Sequence, residues 1–293
     1  MSRDKIIVTI AVYDNADILT ECIEWYLGLG VDLVLAQDCG STDGSQDILE
    51  GFARTEQVRW FLLPERNMLK YRPGDAVAAM ARDQYAADWI VICDPDEFLT
   101  LQGDDLRTIL RTATRDDVSV ISVPRLNMTG PPLEPGDNGL RTLRLRIDRP
   151  VVDSEERRIS GNLSVPHVFV SLPPRALVRA STFLEYGPGA HDAATAGGRR
   201  GSVSGLRFLH YAVRGFDELE TKVRHTVEWF ADNTHLEPQW GWHWRRWIRL
   251  REQGRLRDDY DRQFVSPARA EELVRDGICS IDDTVARWIS ARR

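Results

Sequence analysis

Residues 5–12, KIIVTIAV, form an almost unbroken apolar run rich in β-branched side chains. A run without polar alternation predicts a strand buried on both faces, as in a parallel sheet. Behind it, Ile18, Cys22, Trp25, Tyr26 and Leu29 recur at helical spacing and predict a helix over 17–29. The pattern then repeats. Apolar runs over 31–36, 58–63 and 89–93 read as strands, and stretches over 42–53 and 74–87 read as helices. The cap-type cluster Ser41-Thr42-Asp43-Gly44-Ser45 opens the second helix. Such alternation predicts an α/β fold built on a mainly parallel sheet covered by helices.

Beyond residue 100 the order loosens. A helix is expected over 106–112 and a strand over 118–123, followed by a Pro- and Gly-rich loop over 128–140. Short strands are expected over 143–147, 168–172 and 176–180. Residues 187–205 (GPGAHDAATAGGRRGSVSG) hold six glycines and little apolar content, and read as a mobile loop of the kind that forms lids. Helices follow over 216–232 and 240–252, with more helix after Pro267. Domain 1–212 is therefore expected to be the α/β body, and 213–293 a helical C-terminal extension packed on it. Within that extension Trp240, Trp244 and Trp247 share one helical face. Docking on the core is the preferred reading of that stripe, with sugar stacking or peripheral membrane contact as sharper alternatives.

Composition narrows the classes. Forty-five acidic residues against 38 basic ones leave a net charge of −7, which argues against a nucleic-acid binder. No run of about 18 apolar residues occurs, so no transmembrane helix is expected. No apolar leader precedes the first strand. Cys22, Cys39, Cys93 and Cys279 form no C-x-x-C pair. Reduced thiols in a cytoplasmic protein are the simplest expectation.

In open α/β sheets ligands bind beyond the carboxyl ends of the strands. Three such ends carry polar clusters: Tyr13-Asp14-Asn15, Gln37-Asp38-Cys39 and Asp94-Pro95-Asp96-Glu97. The last is the sharpest, because an apolar strand runs straight into three carboxylates that repel one another unless cations or protons intervene. Hard oxygen ligands suit Mg²⁺ or Mn²⁺, which share their coordination with substrate phosphates. The alternative is a plain turn in which an Asp caps a following helix and Glu97 is solvated. Asp38 could accept a proton from a base imide or a ribose hydroxyl, while Gly40 and Asp43 also suit an ordinary strand-turn-helix connection.

The chain carries, in order, Thr9-Ile10-Ala11-Val12-Tyr13-Asp14-Asn15-Ala16, Asp38-x-Gly40-Ser41-Thr42-Asp43-Gly44-Ser45, Ala81-Arg82-Asp83, Asp94-Pro95-Asp96-Glu97-Phe98, His210-Tyr211 and Lys222. Over roughly residues 5 to 230 this resembles a family 2 type glycosyltransferase of GT-A fold, in the subgroup with D-x-D-E-F and a later His-Tyr followed by Lys. The resemblance implies that 1–212 is a nucleotide-sugar-binding catalytic domain. It implies a nucleotide-sugar donor, with UDP favoured, a divalent ion (Mn²⁺ or Mg²⁺) and inversion at the anomeric carbon. By the same analogy Tyr13 and Asn15 flank the base, Asp38 contacts the uracil or ribose, and Lys70 or Arg72 lies near the nucleotide. Asp94 and Asp96 hold the diphosphate, directly or through the metal, with His210 as candidate third ligand. Arg199, Arg200 and Lys222 are candidate phosphate cations, with solvated surface charge as their alternative.

Asn15-Ala16-Asp17 lacks the Glu that usually follows the first strand in this family, and no acidic pair supplies an evident base. An inverting transfer needs one to deprotonate the acceptor. Asp192 beside His191 is the first candidate, followed by Glu185. His191 is a candidate to bind the acceptor or assist catalysis, with an exposed loop residue as its alternative, and the alternative for His210 is a satisfied core histidine. The acceptor, whether glycan, lipid-linked intermediate, peptide or small molecule, is not legible. Two rivals stand beside this expectation. A nucleotidyltransferase would want a Gly-rich loop after the first strand, which Tyr13-Asp14-Asn15-Ala16 is not. A catalytically silent glycan- or partner-binding module would have no use for an intact D-x-D.

Overall fold

The structure, a computed structural model, describes residues 4–63, 73–152, 157, 164–238 and 240–292. The chain divides into two compact units, 1–125 with 173–208 and 126–172 with 209–293.

The first unit is built on a seven-stranded sheet. Its strands in chain order are β1 (Ile6–Val12), β2 (Leu33–Asp38), β3 (Val58–Leu62), β4 (Trp89–Cys93), β6 (Val118–Val123), β9 (Arg175–Arg179) and β12 (Arg199–Gly201). Across the sheet they run β12-β6-β9-β4-β1-β2-β3. β1 pairs in parallel with β2 and β4, β2 with β3, and β12 with β6. Only β9 runs against its neighbours β4 and β6. The architecture is therefore α/β with a mainly parallel sheet, as the apolar runs predict.

Register turns those runs into two layers. Val58, Val34, Val8, Val91, Leu177 and Ile121 form a row across six strands on one face. Leu33, Ile7, Ile90, Val178 and Val120 form the matching row on the other. The second row packs against α3 (Pro73–Asp83) through Val77, Ala78 and Ala81. A two-stranded hairpin, β10 (Phe183–Tyr186) with β11 (Ala193–Thr195), adds Phe183 and Tyr186 to that layer. The first face is covered by α1 (Leu19–Gly28) and α4 (Leu106–Arg115). Trp89 Nε1 donates to Thr114 Oγ1 of α4 (3.0 Å), and Trp25 Nε1 of α1 donates to the Leu99 carbonyl of β5 (Glu97–Thr100) at 2.9 Å. Helix α2 (Ser45–Ala53) follows β2.

The second unit holds β8 (Leu145–Ile147), which pairs antiparallel with Met128 and Thr129 at the end of β7 (Arg125–Thr129) and with β14 (Cys279–Ile281). Its helices are α5 (Phe216–Asp232), α6 (Trp242–Glu252), α7 (Leu256–Asp261), α8 (Pro267–Arg275) and α9 (Thr284–Ser290). Here the domain expectation differs from what is found. Segment 126–172 folds with the C-terminal residues and not with the α/β body, because its hydrogen-bond partners lie there. The Val265 amide donates to the Gly130 carbonyl (2.8 Å), the Val168 amide to Gln263 Oε1 (3.1 Å) and Thr129 Oγ1 to the Gln263 carbonyl (2.7 Å).

Two further expectations change. The strand expected over 168–172 is a 3₁₀ turn at His167–Phe169 with a single bridge from Val170 to Val151. The segment 187–205 is ordered: it contains β11 and β12, and β12 extends the main sheet. Close approach accounts for part of its glycine content. Gly198, at φ +79°, lies so near Ser119 that a Cβ there would fall 1.8 Å from the hydroxyl.

Candidate active site

Parallel neighbours end together, so β1, β2 and β4 present their carboxyl ends at one edge of the sheet. Register sets the details. Val12 pairs with Asp38, and Ile10 with Cys93, so Asp38 and Asp94 flank the exit of β1 on either side. Because β9 is antiparallel with Val91 opposite Leu177, its first residue, Arg175, lies level with Cys93. Arg125 follows two residues after Val123, the β6 partner of Arg175.

The β1 and β2 exits are laced together. Ser41 Oγ accepts from the Asp14 amide (2.9 Å), Ser45 Oγ from the Asn15 amide (3.0 Å) and Asp43 Oδ2 from the Ala16 amide (2.8 Å). In return Asp14 Oδ1 accepts from the Thr42 amide at 2.6 Å. This lattice holds Asp14 at φ +50°, a left-handed conformation rare for residues other than glycine. Asn15 Oδ1 accepts from the Tyr13 amide, which keeps the two candidate base-flanking residues in one short turn. The Asp38 carboxylate is buried and spent locally: it accepts from the amides of Gly40 and Ser41 and from Gln46 Nε2 (2.8 Å). The structure thus gives Asp38 a turn-forming role that neither sequence reading assigned to it.

The β4 exit resolves the problem of three adjacent carboxylates by recruiting two arginines. Glu97 is fully buried. Its Oε1 accepts from Arg125 Nη1 (2.8 Å) and its Oε2 from Arg175 Nε (2.8 Å) and the Asp94 amide (3.1 Å). Arg175, itself 6% exposed, extends Nη2 to the Asp94 carboxylate and donates from Nη1 to the Gly189 carbonyl (2.5 Å). Burial works against the Arg175 charge, but Asp94 and Glu97 together outweigh it and raise its pKa. Asp94 is the open member of the set, with 49% of its side chain exposed. The protein atoms crowded round its carboxylate still raise its pKa, with Arg175 pulling it down and Glu97 and Asp96 pushing it up. Asp96 is buried beside it.

Glu97, Arg125 and Arg175 are not among the residues picked from sequence. Glu97 was legible as the third carboxylate of the motif. The arginines were not, since only the antiparallel insertion of β9 and the end of β6 bring them to it.

His191 lies near the same network. Its ring nitrogen Nδ1 donates to the Pro174 carbonyl (3.1 Å), so the lone pair sits on Nε2. Burial first, then the charges of Arg125 and Arg175, depress its pKa to about 4. It is a neutral imidazole packed in the fold, not an exposed loop histidine. Asp192 pairs with Arg200 and accepts from the Ala193 amide (2.8 Å), while Arg200 Nη2 also donates to the Ala193 carbonyl. Arg199 Nη2 donates to the Asp116 carbonyl (2.7 Å). Both arginines are thus anchored in β12, at the edge of the sheet, and not carried on a mobile lid. Glu185 lies exposed on β10.

Lys70 and Arg72 lie outside the described residues. His210 and Lys222 belong to the second unit. His210 Nδ1 lies 2.7 Å from Asn127 Oδ1, and Asn127 Nδ2 donates to the Val168 carbonyl. The amide orientation thereby fixes the His210 proton on Nδ1 and its lone pair on Nε2. Lys222 pairs with Glu218 at 2.6 Å. Two tryptophans of the stripe expected to dock on the core, Trp244 and Trp247, pack together within this unit. Trp247 is buried, donates to Asp259 Oδ2 (3.0 Å) and lies edge-on to Trp244 (5.3 Å between ring centres). Trp240 precedes the helix and does not continue the stripe. His167, stacked on His243 at 4.9 Å, completes the cluster.

Among the described residues no group of three or more His, Cys, Asp or Glu side chains is gathered so as to hold a metal ion. Nor, among them, is any helix long and apolar enough to cross a membrane.

No family model matches the chain, and no curated protein matches it. Among solved structures it is similar to Staphylococcus aureus TarS 1–349 in complex with UDP-GlcNAc, at 13% identity and a TM-score of 0.43, over 93% of this chain and 92% of that one. Against a longer TarS structure the identity is 15% and the TM-score 0.42, and the match spans 86% of this chain but only 43% of that one. Glucosyl-3-phosphoglycerate synthase from Mycobacterium tuberculosis, in complex with Mn²⁺, UDP and glucosyl-3-phosphoglycerate, gives 15% identity and a TM-score of 0.36, over 78% of this chain and 80% of that one. Likeness at this level assigns the chain to no family.

Proposed function

We propose that the chain is a glycosyltransferase of GT-A type that moves a sugar from a nucleoside diphosphate, with UDP favoured, to an acceptor. The observation that carries this reading is the β4 exit: a half-open Asp94 and a neighbouring Asp96 at the carboxyl edge of a parallel sheet, beside the laced β1–β2 turn. The ordered motifs of the sequence and the UDP and Mn²⁺ complexes of the similar solved structures point the same way.

The donor set suits a divalent ion of a particular kind. Two carboxylates do not make a cage, but Mg²⁺ and Mn²⁺ are commonly held by one or two carboxylates, with phosphate oxygens and water completing the shell. Asp94 and Asp96 are the residues that would hold it. Bound there, the ion would act as a Lewis acid on the departing diphosphate, an effect worth several kcal/mol. Around it, the laced turn at Tyr13 and Asn15 would seat the base, and Asp38 would hold the Gly40–Ser41 turn to which it is laced. Asp192, with Glu185 next, is the candidate group to take the acceptor proton in an inverting transfer. The four cysteines are free, which suits a reducing compartment such as the cytoplasm.

Calorimetry with UDP, in the presence and absence of Mn²⁺, tests the reading. Metal-dependent UDP binding is expected, and Asp96→Ala should abolish it while the thermal unfolding profile stays that of a folded protein. Absence of UDP binding under both conditions, or unchanged binding by Asp96→Ala, overturns it and favours a silent binding module.

A further inference from the structure

Arg175 joins Asp94 and Glu97, 81 and 78 residues earlier in the chain, to Gly189, 14 residues later. Its Nε lies on the buried Glu97, its Nη2 on the half-open Asp94, and its Nη1 on the carbonyl of Gly189. A guanidinium is planar and carries its donors in a rigid fork, so fixing one edge fixes the direction of the others. Glu97 supplies that fixed edge, because it is also held by Arg125, whose Nε in turn donates to the Pro173 carbonyl (2.8 Å).

The far end of the fork is a tight turn. Gly187 donates its amide to the Asp192 carbonyl (2.8 Å), and Ala190 donates to the Gly187 carbonyl (3.0 Å). Gly189 sits at φ +62°, and a Cβ there would come within 2.6 Å of His191 Nε2. The His191 ring is pinned on its other side to the Pro174 carbonyl, next in the chain to Arg175. The turn, the imidazole and the start of β9 therefore form one packed piece. The candidate base Asp192 follows directly from it.

We propose that Arg175 is a positioning residue that couples the carboxylate of Asp94 to the Gly187–Asp192 turn, so that the donor side and the acceptor side of the site are set together. The inference rests on the glycosyltransferase reading for its purpose, but the coupling itself does not depend on bound substrate. Lysine at this position keeps the charge and reaches one partner, but cannot bridge two carboxylates and a carbonyl.

Two substitutions in the full chain test it. For Arg175→Lys, Mn²⁺-dependent UDP affinity is expected to fall by about tenfold or more, the size of loss typical when the support of a metal ligand is removed. Hydrogen exchange at the Gly187 and Ala190 amides should rise in the same variant. For Asp94→Asn, which leaves the turn's own residues intact, the same two amides should exchange about threefold faster or more, with amides in β1 unchanged. A merely structural Arg175 would leave the turn indifferent to a change at Asp94. Unchanged exchange in Asp94→Asn overturns the coupling, whether or not Arg175→Lys folds. If the parent chain fails to bind UDP with Mn²⁺, the proposed function falls, and the exchange measurement still decides the coupling on its own.

Discussion

His191 shows how a single residue's role is set by its neighbours. Burial and the charges of Arg125 and Arg175 hold its pKa at about 4, against about 6.5 for a free imidazole. The unfolded chain therefore binds one more proton than the folded one between those two values. Stability tied to His191 is complete above about pH 6.5 and is lost as the pH falls toward 4. The Asp94 carboxyl, whose pKa is raised by burial, works in the opposite sense: the folded state holds on to its proton more tightly than the unfolded chain, so its contribution to stability falls as pH rises. Urea unfolding at pH 7 and pH 5 should show a loss on the order of 2 kcal/mol that is absent in His191→Gln. An equal loss in both proteins would mean that the imidazole already titrates normally in the fold. From sequence His191 was a loop residue near an acid; its neutrality depends on two arginines that lie 66 and 16 residues away in the chain.

At the scale of elements, the laced exits of β1 and β2 are the most local device in the site. The cap-type cluster at 41–45 was legible as a helix start, and α2 does begin at Ser45. Its hydroxyls and carboxylate, however, serve the β1 exit 27 to 30 residues earlier as well as their own helix. Ser45 shows the consequence. Its Oγ accepts from the Asn15 amide and donates to Asp43 Oδ1 (2.7 Å) in a buried setting. Ser45→Ala leaves a buried N–H without that acceptor and should cost about 1–3 kcal/mol, measured by urea unfolding. It should also weaken UDP binding by loosening the turn that carries Tyr13 and Asn15. A stability loss with unchanged UDP affinity would separate the turn from the nucleotide site. Strand β9 illustrates the limit of local reading: its apolar run over 176–180 was recognisable as a strand, but nothing within it says that it inserts antiparallel between β4 and β6.

At the scale of the whole molecule, the chain leaves its α/β unit at residue 126, returns at 173 and leaves again at 209. A protein ending at residue 212 would keep the seven-stranded sheet but strip segment 126–172 of β14, of the Val265 amide and of Gln263. Limited proteolysis of such a truncation should cut first within 126–152, whereas the full chain resists there; equal resistance would show that this segment needs no C-terminal partner. What the sequence alone determined was whatever depends on near neighbours: the buried strands from unbroken apolar runs, the helices from their spacing, the polar strand ends from the residues that follow each run, and hence the sheet edge to search. The tertiary structure decided what depends on distant residues. It placed Arg175 and Arg125 on two of three crowded carboxylates, Asp94 and Glu97, buried Asp38 in its own turn, drew the Gly-rich segment into the sheet and assigned 126–172 to the second unit. Local periodicity reports which face of an element is apolar. Pairing between strands far apart in the chain, and the charges that pairing brings together, are properties of the folded whole.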